Sequence, residues 1–227
     1  IEEWKQHNEN LEHYCTLLND YKFKSLHFKN SMGTDLKVEL IRDHVWAAGS
    51  EIAKNGARFN PNMPTEEAFT MPYKYGVDGR VYATKPLSYQ GKLIENFYLD
   101  FKDGKVVGYF AEKGEETLKN LLDFDENSRY LGEVALIPYN SPISTSGVLF
   151  LNTLFDENAS CHLALGASYP DNVKNGTKLK REELEKLGSN HSKIHCDFMF
   201  GSRDMNIVGE TRNGKKVEVF QNGNYAI

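Results

Sequence analysis

Cysteine is scarce in this 227-residue chain: Cys15, Cys161 and Cys196 are an odd set of three, and no two form a CxxC pair. That excludes a disulfide-stapled scaffold and fits a reducing compartment, so a cytoplasmic location is expected. No apolar run approaches the ~20 residues that a membrane span needs. The opening Ile1-Glu2-Glu3-Trp4-Lys5 lacks the basic-then-apolar order of a signal peptide, and no membrane partner is expected. Without such a signal, the sequons at Asn158, Asn175 and Asn190 read as chance matches. Positive charge is not in excess: 27 Lys and Arg stand against 32 Asp and Glu, a net charge of −5. Phosphate recognition needs clustered basic residues, and these are scattered, so no nucleic-acid partner is expected. The short motifs of nucleotide cradles, serine hydrolases and zincin helices are missing as well, with no GxGxxG, GxxxxGK[ST], GxSxG or HExxH.

What is present suits a folded domain with a sizeable core: 40% hydrophobic and 12% aromatic residues. Residues 1–20 predict a helix, with Trp4, Leu11, Tyr14, Leu17 and Leu18 near a 3.6-residue period. The chain opens inside that stretch without a Met, so a piece of a longer protein is expected. Alternation around Phe23–His27 and Leu36–Leu40, separated by Met32-Gly33, predicts a β-hairpin. Residues 55–72 carry three of the seven prolines and predict a loop. Strands are expected at 81–84, 93–101, 106–110, 133–137, 194–200 and 217–220, and short helices at 114–122 and 181–187. Residues 147–155 are apolar and fit either state. The expected fold is one α+β domain, a mixed and largely antiparallel, partly barrel-like sheet with flanking helices.

The candidate chemistry lies in His and carboxylates. His195 and Asp197 stand at i and i+2 of an expected strand and so share one face, with Cys196 on the other. Nitrogen and oxygen ligands together suit Zn²⁺, Co²⁺ or Mn²⁺, although a His–Asp pair at a strand edge is the more ordinary reading. Glu133 opens an apolar strand, where a carboxylate is costly unless it meets a cation or the solvent. His162 lies in the small, apolar stretch 159–166, where a hydrogen-bonded core His is the commoner case. Tyr169 fits a half-buried core residue, and Glu66 and Glu67 a solvated acidic pair. Taken together, Glu67, Glu133, His162, His195 and Asp197 offer three carboxylates and two imidazoles, the inventory of a two-metal hydrolase centre.

On these residues the sequence closely resembles the thermophilic-type metallo-aminopeptidases, the aminopeptidase S, aminopeptidase T and PepS group. The matching text includes Met63-Pro64-Thr65-Glu66-Glu67, Ala83-Thr84-Lys85-Pro86-Leu87-Ser88-Tyr89-Gln90-Gly91 and Leu131-Gly132-Glu133-Val134-Ala135-Leu136. It continues through Asn152–Gly166, His195-Cys196-Asp197-Phe198-Met199 and Gly201-Ser202, with a departure at Arg203, where relatives commonly have a small residue. The resemblance implies that Glu67, Glu133, His162, His195 and Asp197 are ligands of two divalent ions and that Tyr169 is an active-site phenol. Glu67 is preferred to Glu66 on the family's spacing to the second Glu. It also implies peptide substrates with a free N-terminus, a homodimer in the full-length protein and a preceding α/β domain. Residues 1–227 would then be a single metal-binding catalytic domain, the C-terminal part of the enzyme. The alternative is a metal-binding or dimerisation module with little activity alone.

Overall fold

The computed structural model describes residues 2–227. Helix α1 (Glu2–Tyr21) buries Leu11 and Leu18 and carries Glu2 and Glu3 in its first turn, where negative charge suits the helix dipole. Ile1, part of the expected helix, lies outside the described residues. The expected hairpin is β1 (Phe23–Lys29) with β2 (Asp35–Leu40). Short strands β3 (Ala47–Ala48) and β4 (Glu51–Ile52) precede the proline-rich region, and β5 (Arg58–Phe59) and β6 (Ala68–Thr70) interrupt the loop expected there. Then follow β7 (Pro72–Tyr82), β8 (Leu87–Tyr89), β9 (Lys92–Lys102), β10 (Lys105–Lys113) and α2 (Glu115–Leu122). After β11 (Leu131–Leu136) come α3 (Pro142–Ser146), α4 (Thr153–Asp156), β12 (His162–Gly166), α5 (Arg181–Leu187) and β13 (His195–Met199). The chain closes with β14 (Asn206–Thr211), β15 (Lys216–Gln221) and β16 (Asn224–Tyr225).

Most strands form two antiparallel sheets. The larger runs β10-β9-β7-β2-β1-β14-β15-β16, with β8 hung on β9; the smaller runs β13-β12-β11-β6-β3. The mixed α+β class and the antiparallel pairing agree with expectation, but neither sheet closes into a barrel. The reason is visible in the core. Leu26, Phe28, Val77 and Leu99 of the large sheet and Val134, Leu163, Leu165 and Phe198 of the small one share one buried cluster. Phe97 meets Phe198 with ring centroids 5.8 Å apart, and Phe28 meets Phe200 at 5.2 Å. The small sheet covers the apolar face of the large one, so closure is not needed to bury it.

Other differences are local. Strand β7 starts at Pro72, nine residues before the expected one, and β12 and β14 were not expected. Residues 147–152 are irregular, ending in the single turn of α4, and leave Val148, Leu149, Phe150 and Leu151 exposed. Among the described residues all three cysteines are free, and no helix is long and apolar enough to cross a membrane.

The small sheet positions the site because its two faces differ. Leu163 and Leu165 of β12 and Cys196 and Phe198 of β13 point to the core. By alternation, His162 and Ala164 and then His195 and Asp197 face away from it. A register shift between Leu131 and Glu133 in β11 puts Glu133 and Ala135 on that same outer face. Gly132 sits at this shift, where a Cβ would fall 2.1 Å from the Ala167 carbonyl oxygen. Gly166 ends β12 at φ +104°, and a Cβ there would press within 2.2 Å of the Ile194 carbonyl oxygen, so β13 can approach only a glycine.

Candidate metal centre

Across the outer face, Glu133 of β11 is registered with Ala164 of β12, which is registered with Asp197 of β13. Ala135 in turn stands opposite His162, and Gly166 opposite His195. Small residues thus alternate with the long polar ones, leaving room above the sheet for the side chains to converge. Glu67 enters from the chain just before β6. Its loop is tied down by the Glu66 N–H donating to Asn158 Oδ1 (2.8 Å) and by His7 Nε2 bonding the Thr65 carbonyl (2.7 Å).

The result is two trios that share Glu133. Glu67, Glu133 and His162 form one; Glu133, His195 and Asp197 form the other. In each, one donor atom per residue lies within 4.8 Å of the rest. His162 Nε2 is 3.0 Å from Glu67 Oε2 and 3.4 Å from Glu133 Oε1. His195 Nε2 is 3.9 Å from Glu133 Oε2 and 3.4 Å from Asp197 Oδ1. All five sequence-expected ligands are therefore brought together. Between the two neighbouring acids, it is Glu67 that reaches the cluster, whereas Glu66 faces His7 at 3.7 Å.

The imidazoles are oriented from behind. His162 Nδ1 lies 3.0 Å from the Glu157 carbonyl, and His195 Nδ1 lies 2.8 Å from that of Ala167. A carbonyl only accepts, so each Nδ1 carries the hydrogen and each Nε2 is left facing the carboxylates. Each Nε2 can neutralise the carboxylates with a hydrogen of its own, as the imidazolium, or release it and share a bound cation with them. Two further atoms favour the cation. Glu67 Oε2 and Asp197 Oδ1 are buried, and among the described residues neither has a hydrogen-bond partner. An ion in each trio would satisfy the orphaned oxygen of that trio. The donor set fits divalent metal.

The electrostatics reflect the crowding. Burial, and then the charges of Glu67 and Asp197, push Glu133 up to about 7 despite the opposing His162. Burial alone would depress His195, but the Asp197 and Glu133 carboxylates outweigh it and hold the imidazole at about 9. His162 is likewise raised well above the usual histidine range by Glu133 and Glu67 acting against its burial.

Tyr169 stands at the rim, 44% exposed, with its ring centroid 4.7 Å from that of His195. Burial of the phenol, followed by the charges of Glu133 and Asp197, raises it to about 12. It stays protonated at neutral pH and can donate. One acid escaped the sequence reading: Glu157, between α4 and β12, is half-buried and joins the cluster beside Asp197. Its sequence signal was weak, a single Glu in a polar stretch, Asp156-Glu157-Asn158. The cluster opens onto a cleft of about 860 Å³ bordered by Trp46, Phe69, Glu157 and Tyr169, within the usual size range of small-molecule sites.

The model of the family described as thermophilic metalloprotease (M29) matches residues 1–225. "Aminopeptidase 2" of Geobacillus stearothermophilus is 52% identical over all of this chain and 54% of its own length. "Aminopeptidase AmpS" of Bacillus subtilis is 53% identical over all of this chain and 55% of its own. Among solved structures, wild-type AmpT from Thermus thermophilus superposes with a TM-score of 0.95 at 42% identity, covering all of this chain and 56% of that one. This chain spans about half the length of the relatives it matches.

Proposed function

The chain belongs to the thermophilic metalloprotease (M29) family, and on that premise we propose that it is the metal-binding catalytic part of an aminopeptidase. The reaction is hydrolysis of the first peptide bond of a peptide with a free N-terminus, and the relatives' names as aminopeptidases support it. The observation that carries the reading is the pair of ligand trios sharing Glu133, which suits two divalent ions bridged by one carboxylate.

Glu67, Glu133, His162, His195 and Asp197 would hold divalent cations, whose Lewis acidity would activate water and polarise the scissile carbonyl. The protein's own groups do the rest. Glu133 turns one oxygen toward each imidazole, and so fixes the two halves of the centre relative to each other. The Glu157 and Ala167 carbonyls hold His162 and His195 with Nε2 inward. The Tyr169 phenol, protonated and at the cleft rim, can donate a hydrogen bond to the oxygen that gains negative charge during attack. Zn²⁺, Co²⁺ and Mn²⁺ all accept this mixed oxygen and nitrogen set.

A second reading follows from the chain's share of its relatives' length: this domain holds the metals but needs the remainder of a longer protein to hold substrate. Metal analysis combined with an aminoacyl p-nitroanilide assay, on this chain and on a full-length protein, separates the two. Bound metal with turnover in both supports the first reading. Bound metal with turnover only in the longer protein supports the second, and absence of metal from both refutes the centre.

A further inference from the structure

Asn158 is buried in the single turn between α4 and β12, and both ends of its amide are used. Oδ1 accepts the Glu66 N–H at 2.8 Å, and Nδ2 donates to the Leu154 carbonyl of α4, also at 2.8 Å. One orientation of the amide alone serves both partners, since the N–H must meet oxygen and the carbonyl must meet a donor.

The two bonds fix different things. The first holds the irregular chain one residue ahead of Glu67, whose other neighbour, Ala68, is pinned by the pairing of β6 with β11. The second holds the turn against α4. That turn and the residue after it carry the two carbonyls that meet His162 Nδ1, those of Glu157 at 3.0 Å and Ser160 at 3.3 Å. Glu67 and His162 are two of the three members of one trio. The third, Glu133, stands on β11, and His195 and Asp197 of the other trio stand on β13, where strand pairing sets their positions. His195 Nδ1 is held by the Ala167 carbonyl, outside the turn. Resting on the two-metal reading, we propose that Asn158 is a positioning residue for one ion only. Its amide clasps the loop of Glu67 to the turn behind His162, and so sets the metal affinity of that half while leaving the half of His195 and Asp197 unchanged. Asn158 is neutral and is itself no ligand; it acts through the backbone it ties.

The test is Zn²⁺ titration of the full-length protein carrying nitrogen-labelled histidine, with the ring signals of His162 and His195 reporting the two halves separately. Asn158→Ala is expected to weaken Zn²⁺ binding at His162 by about 10–100-fold, the range for removing a group that orients a ligand, and to leave binding at His195 within about threefold of wild type. Asn158→Leu keeps the side-chain volume while losing both bonds, and should behave alike even where a cavity stops the alanine variant from folding. His7→Ala frees the same loop at Thr65 but leaves the turn intact, and should weaken the His162 half by less. Equal weakening at both histidines, or none at either, overturns the role of Asn158. A wild type whose His162 and His195 signals both ignore Zn²⁺ overturns instead the metal centre on which that role rests.

Discussion

His162 turns Nε2 toward Oε2 of Glu67, 3.0 Å away, while its Nδ1 hydrogen is already committed to a backbone carbonyl. Such a contact is held by the Nε2 hydrogen of the imidazolium or, once that proton is released, by a cation shared between the two. The centre is therefore a consequence of how β12 fixes one imidazole and the chain ahead of β6 delivers one carboxylate.

Removing a ligand should empty the part of the centre it holds. His162→Ala and Glu133→Ala are expected to lose bound metal by elemental analysis. In the full-length protein they should also lower kcat by two or more orders of magnitude, about 3 kcal/mol of barrier. Glu133→Ala should lose both ions because it belongs to both trios. Wild-type-like activity with full metal content in either variant would falsify the ligand assignment.

The phenol can be isolated from the metals. Tyr169→Phe should keep the metal content and KM of wild type while kcat falls by roughly 10²-fold, the effect of removing one oxyanion donor. Steady-state kinetics at saturating metal read this directly. An unchanged kcat would mean that the hydroxyl lies away from the reacting oxygen.

Ala164 holds open the space between Glu133 and Asp197. Ala164→Leu should fill it, costing about 1–3 kcal/mol of stability as overpacking and blocking metal at the shared carboxylate. Thermal unfolding with and without added Zn²⁺ should show stabilisation by metal in wild type and none in the variant. A variant stabilised as much as wild type would show that the space is not needed.

How far these features can be read from sequence depends on how local their cause is. The hairpin of β1 and β2 and helix α5 follow from alternation, turn residues and helical propensity within a few positions, and they form where expected. His195 and Asp197 share a face because strand geometry demands it. Strand β12 escapes because its residues after His162, Leu163-Ala164-Leu165-Gly166, are small or apolar on both faces, and only pairing with β11 and β13 settles their state. Strand β7 is obscured by Pro72, Gly76 and Gly79, which weaken the alternation that its pairing with β2 restores. The choice between Glu66 and Glu67 is not local at all: Asn158 and His7, far away in the chain, anchor the loop that makes it. Glu157 is missed for the same reason, since its neighbour Asp197 is brought to it by the sheet.

Acid stability offers a check away from the centre. His44 is largely buried, with Nδ1 donating to the Ile41 carbonyl and Nε2 unpartnered. Burial, with Arg212 nearby, lowers it from 6.5 to about 4, against the pull of Asp43. Between those values the unfolded chain binds the proton and the native state does not. Stability is therefore full above pH 6.5 and falls as pH drops toward about 4, by on the order of 3 kcal/mol for this group. His44→Gln should flatten that part of the curve of denaturant-unfolding free energy against pH. An equal slope in the variant would remove His44 as its cause.

The most direct measurement is anomalous scattering from crystals grown with Zn²⁺ or Co²⁺, recorded at the metal edge. The expected result is two peaks, one among Glu67, Glu133 and His162 and one among Glu133, His195 and Asp197, about 3.5–4 Å apart as in other two-metal centres. Strong peaks at other residues, with none between these five side chains, would contradict the centre and the hydrolytic chemistry built on it.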